Sequence, residues 1–267
     1  MEVKIKNVSV GEKNNPKILG VLNISPESFF TDSFSPTNQV IGRTEKLLRA
    51  GADIIDIGAR STALSAPPLS VSKEKERVVS ALSELRDYDI PLSLDTMHVE
   101  VLEAALRFDI SAVNDISGLT NEVYAKTAAD SGLPVIAMAS HKIPGDPTDI
   151  SSTHLALREI LDRADKYGIE NLILDPGIGK WVENRSSEAD WELCRKFSEL
   201  KVYGCPLLCA VSRKSFIGEC VNQPPQGRLF GSIAVLYALL EAGADLVRVH
   251  DVGESRDIIS VFKKMKI

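Results

Sequence analysis

Arg248 and His250 stand two residues apart in Val247-Arg-Val-His-Asp251, where an apolar run turns polar. On a β-strand that spacing points both side chains to the same side. A guanidinium beside an imidazole at a strand end suits an anion. The same pattern of apolar run, polar tip and helix recurs along the chain. Read in order, the tips are Asn23, Asp56, Asp95, Asn114 with Asp115, Met138, Asp175, Arg213 with Lys214, and Arg248 with His250. Carboxylates and amides crowd tips two to six, and cations occupy seven and eight. One side of such a ring can hydrogen-bond a polar heterocycle, and the other can hold a phosphate or pyrophosphate. Asn23 adjoins the cations and supplies an oxygen for a Mg²⁺ bridging phosphate oxygens, since Mg²⁺ prefers oxygen ligands and keeps several waters.

Taken singly, most of these residues have a plainer role. Asp56, Asp95 and Asp115 can cap the helices that follow them. Asp175 precedes Pro176 and Gly177 and can serve a turn. Arg248 can pair with an acid of strand two or three. His98, His141 and His154 fall on helices or loops and are expected at the surface, and Cys205 and Cys209 are expected to pack. A shared site is favoured because so many tips are polar together.

The positioning elements follow a regular rhythm. Residues 1–17 alternate and predict a half-solvated hairpin that covers one end of a core. Strands are then expected at 18–22, 54–58, 92–95, 112–116, 135–138, 171–175, 207–211 and 245–250. Helices are expected at 38–50, 71–85, 97–108, 120–131, 151–166, 187–201, 227–241 and 255–265. Near-continuous apolar strands imply a parallel sheet covered by helices. Eight such units in about 250 residues predict a TIM (β/α)8 barrel over 18–267, with the N-terminal β-hairpin 1–17 before it. A doubly wound open sheet is the alternative, but no Gly-x-Gly-x-x-Gly follows a strand. Gly51-Ala-Asp53 and Gly243-Ala-Asp245 each read as a helix end turning at once into a strand.

Composition narrows the class. The chain has 267 residues, 44% hydrophobic and 25% charged, enough for one large or two small domains. A net charge of -6 and a pI near 5.4 argue against generic nucleic-acid binding. The spacing of Cys194, Cys205, Cys209 and Cys220 fits neither a zinc site nor a disulfide framework, so free thiols are expected. No apolar run reaches the ~18 residues of a membrane span. The first residues lack the apolar core of a signal peptide, which makes the cytoplasm the expected compartment.

Seven motifs in order resemble those of the dihydropteroate synthases, pterin-binding TIM barrels of folate synthesis. They are Leu22-Asn-Ile-Ser-Pro-Glu-Ser-Phe29; Gly51-Ala-Asp-Ile-Ile-Asp-Ile-Gly58 with Ser61-Thr62; Ser93-Leu-Asp-Thr96; Val113-Asn-Asp-Ile-Ser-Gly118; Leu174-Asp-Pro-Gly-Ile-Gly179; Val211-Ser-Arg-Lys-Ser-Phe-Ile-Gly218; and Val247-Arg-Val-His-Asp251. The resemblance implies that 6-hydroxymethyl-7,8-dihydropterin pyrophosphate condenses with p-aminobenzoate or a modified arylamine, releasing pyrophosphate, on a folate or methanopterin route. It implies that Asp95, Asn114 and Asp175 bond the pterin ring, with Met138 packing near it and Lys214 on ring acceptors. Asn23, Arg248 and His250 would hold the pyrophosphate, Asn23 also the Mg²⁺. Thr62, Ser215 and Arg60 would face the arylamine, and Asp95, Lys214 and Arg248 would carry the chemistry. A homodimer is implied as well.

Three segments depart from the family pattern. Ala63-Leu-Ser65 replaces the usual Arg-Pro-Gly after Ser-Thr, with Arg60 ahead of the pair where an acid is common. Lys180-Trp181 follows Gly179 where the family continues Phe-Gly-Lys, and Phe30-Thr-Asp-Ser33 alters the first loop. All three border the second substrate. Two other readings therefore stand beside the synthase. One is a pterin-dependent methyltransferase subunit, which should lack the pyrophosphate cations and Ser-Arg-Lys-Ser. The other is a non-catalytic pterin-binding protein.

Overall fold

Eight short strands with both faces apolar have to be covered on both sides, and in the computed structural model they close into a ring. The structure describes residues 1–12, 14–25, 39–61 and 66–266. An antiparallel hairpin, β1 (Glu2–Ile5) and β2 (Val8–Gly11), comes first. The barrel strands are β3 (Lys17–Asn23), β4 (Ile54–Gly58), β5 (Leu92–Asp95), β6 (Ala112–Asp115), β7 (Val135–Met138), β8 (Leu172–Asp175), β9 (Leu208–Cys209) and β10 (Leu246–Val249). They pair in parallel in the order β8-β7-β6-β5-β4-β3-β10-β9. A bridge between Leu174 and Leu207 brings the two ends of that order together. The expected TIM barrel is what forms.

The helices are α1 (Val40–Ala50), α2 (Val71–Glu84), α3 (Val99–Ala105), α4 (Glu122–Asp130), α5 (Ile150–Tyr167), α6 (Ser187–Arg195), α7 (Ser215–Val221), α8 (Leu229–Glu241) and α9 (Val252–Met265). Side chains cap four of them at the start: Ser70, Asn121, Asp149 and Ser186 each accept a backbone N–H of the first turn. Gly51 ends α1 in the left-handed region, as the Gly-Ala-Asp reading expects. The Asp53 and Asp245 carboxylates then accept the N–H groups of Ile18 and Leu207, sewing neighbouring strands together at the barrel's base. Two expectations change. The segment between strand seven and the helix at 227 contains the further helix α7. The sixth helix ends at Arg195 and continues as a 3₁₀ turn, Phe197–Tyr203. No helix is long and apolar enough to cross a membrane among the described residues.

Strand alternation sorts each residue to one of two environments. Ile57, Leu94, Val113, Val135, Leu174 and Val247 face the helices and join one large core. Leu19, Ile54, Ala112, Ile136, Ile173, Leu208 and Leu246 face the barrel interior and meet Val3, Ile5 and Val10 of the hairpin. The hairpin thus plugs the N-terminal end of the barrel with apolar side chains. Two or four residues along the same strand faces, the interior ends in polar tips at the opposite mouth.

Candidate active site

Asn23, Asp56, Asp95, Asn114, Met138, Asp175, Arg248 and His250 all share the strand parity of that interior base layer, so each is turned toward the barrel axis. A cleft at this mouth is lined by Asn23, Gly58, Arg60, Ser61, Asp95, Trp181, Ser212, Lys214, Arg248 and His250, with Val21 and Ala210 at its floor. Asn114, Met138 and Asp175 are buried in the wall beside it. Asp115 has the opposite parity and leaves the site. Its carboxylate accepts Ser117 N–H at 2.8 Å and Leu119 N–H at 2.7 Å in the turn after β6; the helix that follows is capped by Asn121, not by Asp115 as expected.

Arg248 spans the mouth. Its Nε donates to Asp56 and its Nη2 to Asp95, both at 2.6 Å. The strand-two and strand-three acids are therefore both its partners. Asn114 Nδ2 donates to Asp56 at 3.1 Å, which joins four strand tips in one network. Burial opposes the Arg248 charge, but Asp56 and Asp95 more than offset it and hold its pKa above the ordinary guanidinium value. For Asp95, burial is the largest influence; with the nearby Asp56 charge it outweighs Arg248 and pushes the carboxyl up to about 7. Asp175 is also raised by burial, against a hydrogen bond from Gly177 N–H and the charge of Lys214. It thus serves the turn and faces the site at once.

Lys214 follows β9. Burial pulls its ammonium down to about 8, although Asp175 favours the charge. Its Nζ lies 4.6 Å from the centre of the Trp181 ring. His250 is half-buried beside Arg248, Arg213 and Lys214; desolvation first and those cations second drop its pKa to about 3, so it is neutral at pH 7. Ser212 Oγ lies 3.3 Å from the His250 backbone nitrogen and 3.0 Å from Nδ1.

Several expectations need correction. Arg213 is not a mouth cation: it forms a bidentate pair with Asp251 at 2.7 and 2.8 Å and bonds the carbonyls of Pro225 and Gln226. His98, His141 and His154 are not plain surface residues; they are half-buried beside Glu74, Glu159 and Tyr203 respectively, at 3.0, 3.0 and 2.7 Å. Arg60 does reach the cleft, but its Nε donates to the buried Glu74 at 2.7 Å and its Nη2 to the Leu69 carbonyl. Glu74 also accepts from Thr96 at 2.6 Å. Burial would raise the Glu74 pKa, yet the bonds from His98, Thr96 and Arg60 lower it, so it stays an anion. Ser215 opens α7 outside the cleft lining, and Thr62 lies outside the described residues. Ser212 and Trp181 line the site without having been singled out as ligands. Ser212 shares the inward parity of Ala210, and Trp181 stood out only as a departure from the family pattern.

A parallel barrel whose C-terminal mouth pairs buried acids and an amide with a guanidinium, a lysine and a neutral histidine defines an enzyme for a polar heterocycle carrying an anionic group. Residues 19–250 match the family described as Pterin binding enzyme. A dihydropteroate synthase of Synechocystis is 38% identical over 91% of this chain and 88% of its own length; that of Escherichia coli is 31% identical over 93% and 91%. A Yersinia pestis dihydropteroate synthase solved with a sulfonamide drug superposes with a TM-score of 0.89 at 29% identity, covering 100% of this chain and 99% of that one. A Coxiella burnetii dihydropteroate synthase in complex with pteroic acid gives 0.87 at 28%, covering 99% and 98%. The chain belongs to the dihydropteroate synthase family.

Proposed function

We propose that this transferase condenses 6-hydroxymethyl-7,8-dihydropterin pyrophosphate with p-aminobenzoate, the arylamine nitrogen displacing pyrophosphate at the exocyclic CH₂. The observation that carries the reading is the Asp56–Arg248–Asp95 bridge with Asn114, set beside Lys214 and His250 in one cleft. Asp95, Asn114 and Asp175 hydrogen-bond the N–H edge of the pterin, Met138 packs against the ring, and Lys214 donates to ring acceptors. The buried carboxylates stabilise the positive charge that develops as the C–O bond lengthens. Arg248 and the neutral imidazole of His250 hold the leaving pyrophosphate. No side chain need act as nucleophile, because the arylamine supplies the attacking pair.

Asn23 suits a magnesium ion. Asn23 lines the cleft, its Oδ1 accepts Ser25 N–H at 2.9 Å, and an amide oxygen is a ligand type that Mg²⁺ takes. Among the described residues no three His, Cys, Asp or Glu groups form a metal cage, so the ion would draw its other ligands from phosphate and water. Bound there, it would supply charge neutralisation to the pyrophosphate. Arg60, held at the rim by Glu74, stands in for the arginine missing from the family pattern. Phe230, 83% exposed on α8, offers an apolar contact for a homodimer. The cytoplasm is the compartment proposed.

Mass spectrometry of a reaction with the pterin pyrophosphate and p-aminobenzoate tests the reading. Dihydropteroate as the sole pterin product supports it; unchanged substrate with every arylamine offered overturns it. Loss of Arg60 (Arg60→Ala) should raise KM for the second substrate, and an unchanged KM removes Arg60 from that role.

A further inference from the structure

Glu74 is a buried charge on the outer side of the barrel wall. It lies on α2, and its side chain is only 1% exposed. A buried carboxylate is unfavourable unless it is bonded, and a well-packed apolar side chain would serve the wall as well. Among the described residues, the groups that meet this carboxylate all leave strand ends at the mouth. Arg60, just beyond β4, donates its Nε–H to Oε2 at 2.7 Å. Thr96, the residue after β5, donates its hydroxyl to Oε1 at 2.6 Å. His98 Nδ1 lies 3.0 Å from Oε2. Thr96 is itself fixed: its N–H donates to the Asn114 carbonyl at 3.2 Å, and its own carbonyl accepts the Tyr124 hydroxyl at 2.6 Å. The carboxylate is therefore anchored through Oε1 independently of Arg60.

We infer that Glu74 is a positioning residue for the second substrate, holding the Arg60 guanidinium in one orientation at the rim of the cleft. This rests on the synthase reading above and on the part it gives to Arg60. Arg60 is gripped at two nitrogens, Nε by Glu74 and Nη2 by the Leu69 carbonyl. Bonds at two nitrogens fix the plane of a guanidinium. The side chain is 19% exposed and lines the cleft. An arginine ordered in advance loses no rotamer freedom when an anionic substrate arrives. Without Glu74, the Leu69 carbonyl alone would hold it, and a long side chain with one anchor can swing. Thr96 keeps its two backbone bonds, and Asp95 before it keeps Arg248, so loss of Glu74 acts at Arg60 and spares the pterin side.

Glu74→Ala should raise KM for p-aminobenzoate about fivefold, the cost of ordering one long side chain on binding. KM for the pterin pyrophosphate should not change. Arg60→Ala should raise KM for p-aminobenzoate at least as much. In the double variant the two effects should not multiply, because Glu74 then has nothing left to position. A structural role predicts a Glu74→Ala effect that persists in the Arg60→Ala background or falls equally on both substrates. Either result overturns the inference while the synthase reading stands, and so does a Glu74→Ala enzyme with parental KM values. An Arg60→Ala enzyme with unchanged KM for p-aminobenzoate overturns it too. A parent enzyme with no turnover of p-aminobenzoate overturns the synthase reading and this inference with it. Should Glu74→Ala fail to fold, the isosteric Glu74→Gln takes its place. It lacks the charge that holds Arg60, so a rise confined to p-aminobenzoate is expected and parental KM values count against the role.

Discussion

Arg248 ties the chemistry of the site to its stability. Its guanidinium compensates two carboxylates, Asp56 and Asp95, of which Asp56 is fully buried. Arg248→Ala leaves both acids facing each other, and breaking such a pair costs about 3 kcal/mol, the low end of the usual range because a quarter of the Arg248 side chain is exposed. Urea denaturation should show that loss together with loss of turnover. The titrations have opposite senses. Asp95, pushed up to about 7, takes a proton as pH falls, so kcat/KM should decline on the acid side. Lys214, pulled down to about 8, gives up its proton as pH rises, so kcat/KM should decline on the alkaline side. Lys214→Arg, which stays charged, should abolish the alkaline limb in a pH–rate profile while leaving the acid limb in place. His250, near 3, should contribute no limb between pH 5 and 8.

At the level of elements, strand parity decides which polar tip is a ligand. Asp115 and Asn114 are neighbours in sequence, but only Asn114 faces the axis. Asp115→Ala should cost about 2 kcal/mol, since it leaves the N–H groups of Ser117 and Leu119 without their acceptor, and thermal melting will register this. Because Asp115 faces the helices, kcat/KM should not change. The strand rhythm, the barrel and the inward tips were legible in the sequence because two-residue alternation and apolar runs are local signals. Arg213 was misplaced because its partner, Asp251, lies 38 residues away and its backbone is left-handed at φ 59°. The short α7 was missed because seven residues before Pro224-Pro225 are too few to show a helical period. The pairing of Arg248 with Asp56 joins residues 192 apart, and only closure of the barrel brings them together.

For the whole molecule, one end of the barrel is sealed and the other reacts. Val3, Ile5 and Val10 fill the sealed end against seven inward strand residues. Ile5→Ala should lower stability by about 2–4 kcal/mol by opening a cavity there, without altering KM for either substrate; calorimetry and steady-state kinetics check the two halves of that statement. The reactive end follows from the same alternation, carried from apolar base to polar mouth. In the proposed reaction the inward acids activate a pterin pyrophosphate whose leaving group is held at the same mouth, for attack by an amine. The direct measurement is pyrophosphate released from 6-hydroxymethyl-7,8-dihydropterin pyrophosphate with and without p-aminobenzoate. Release should depend on the amine and match dihydropteroate formed mole for mole; pterin binding without amine-dependent release would rule out the proposed condensation.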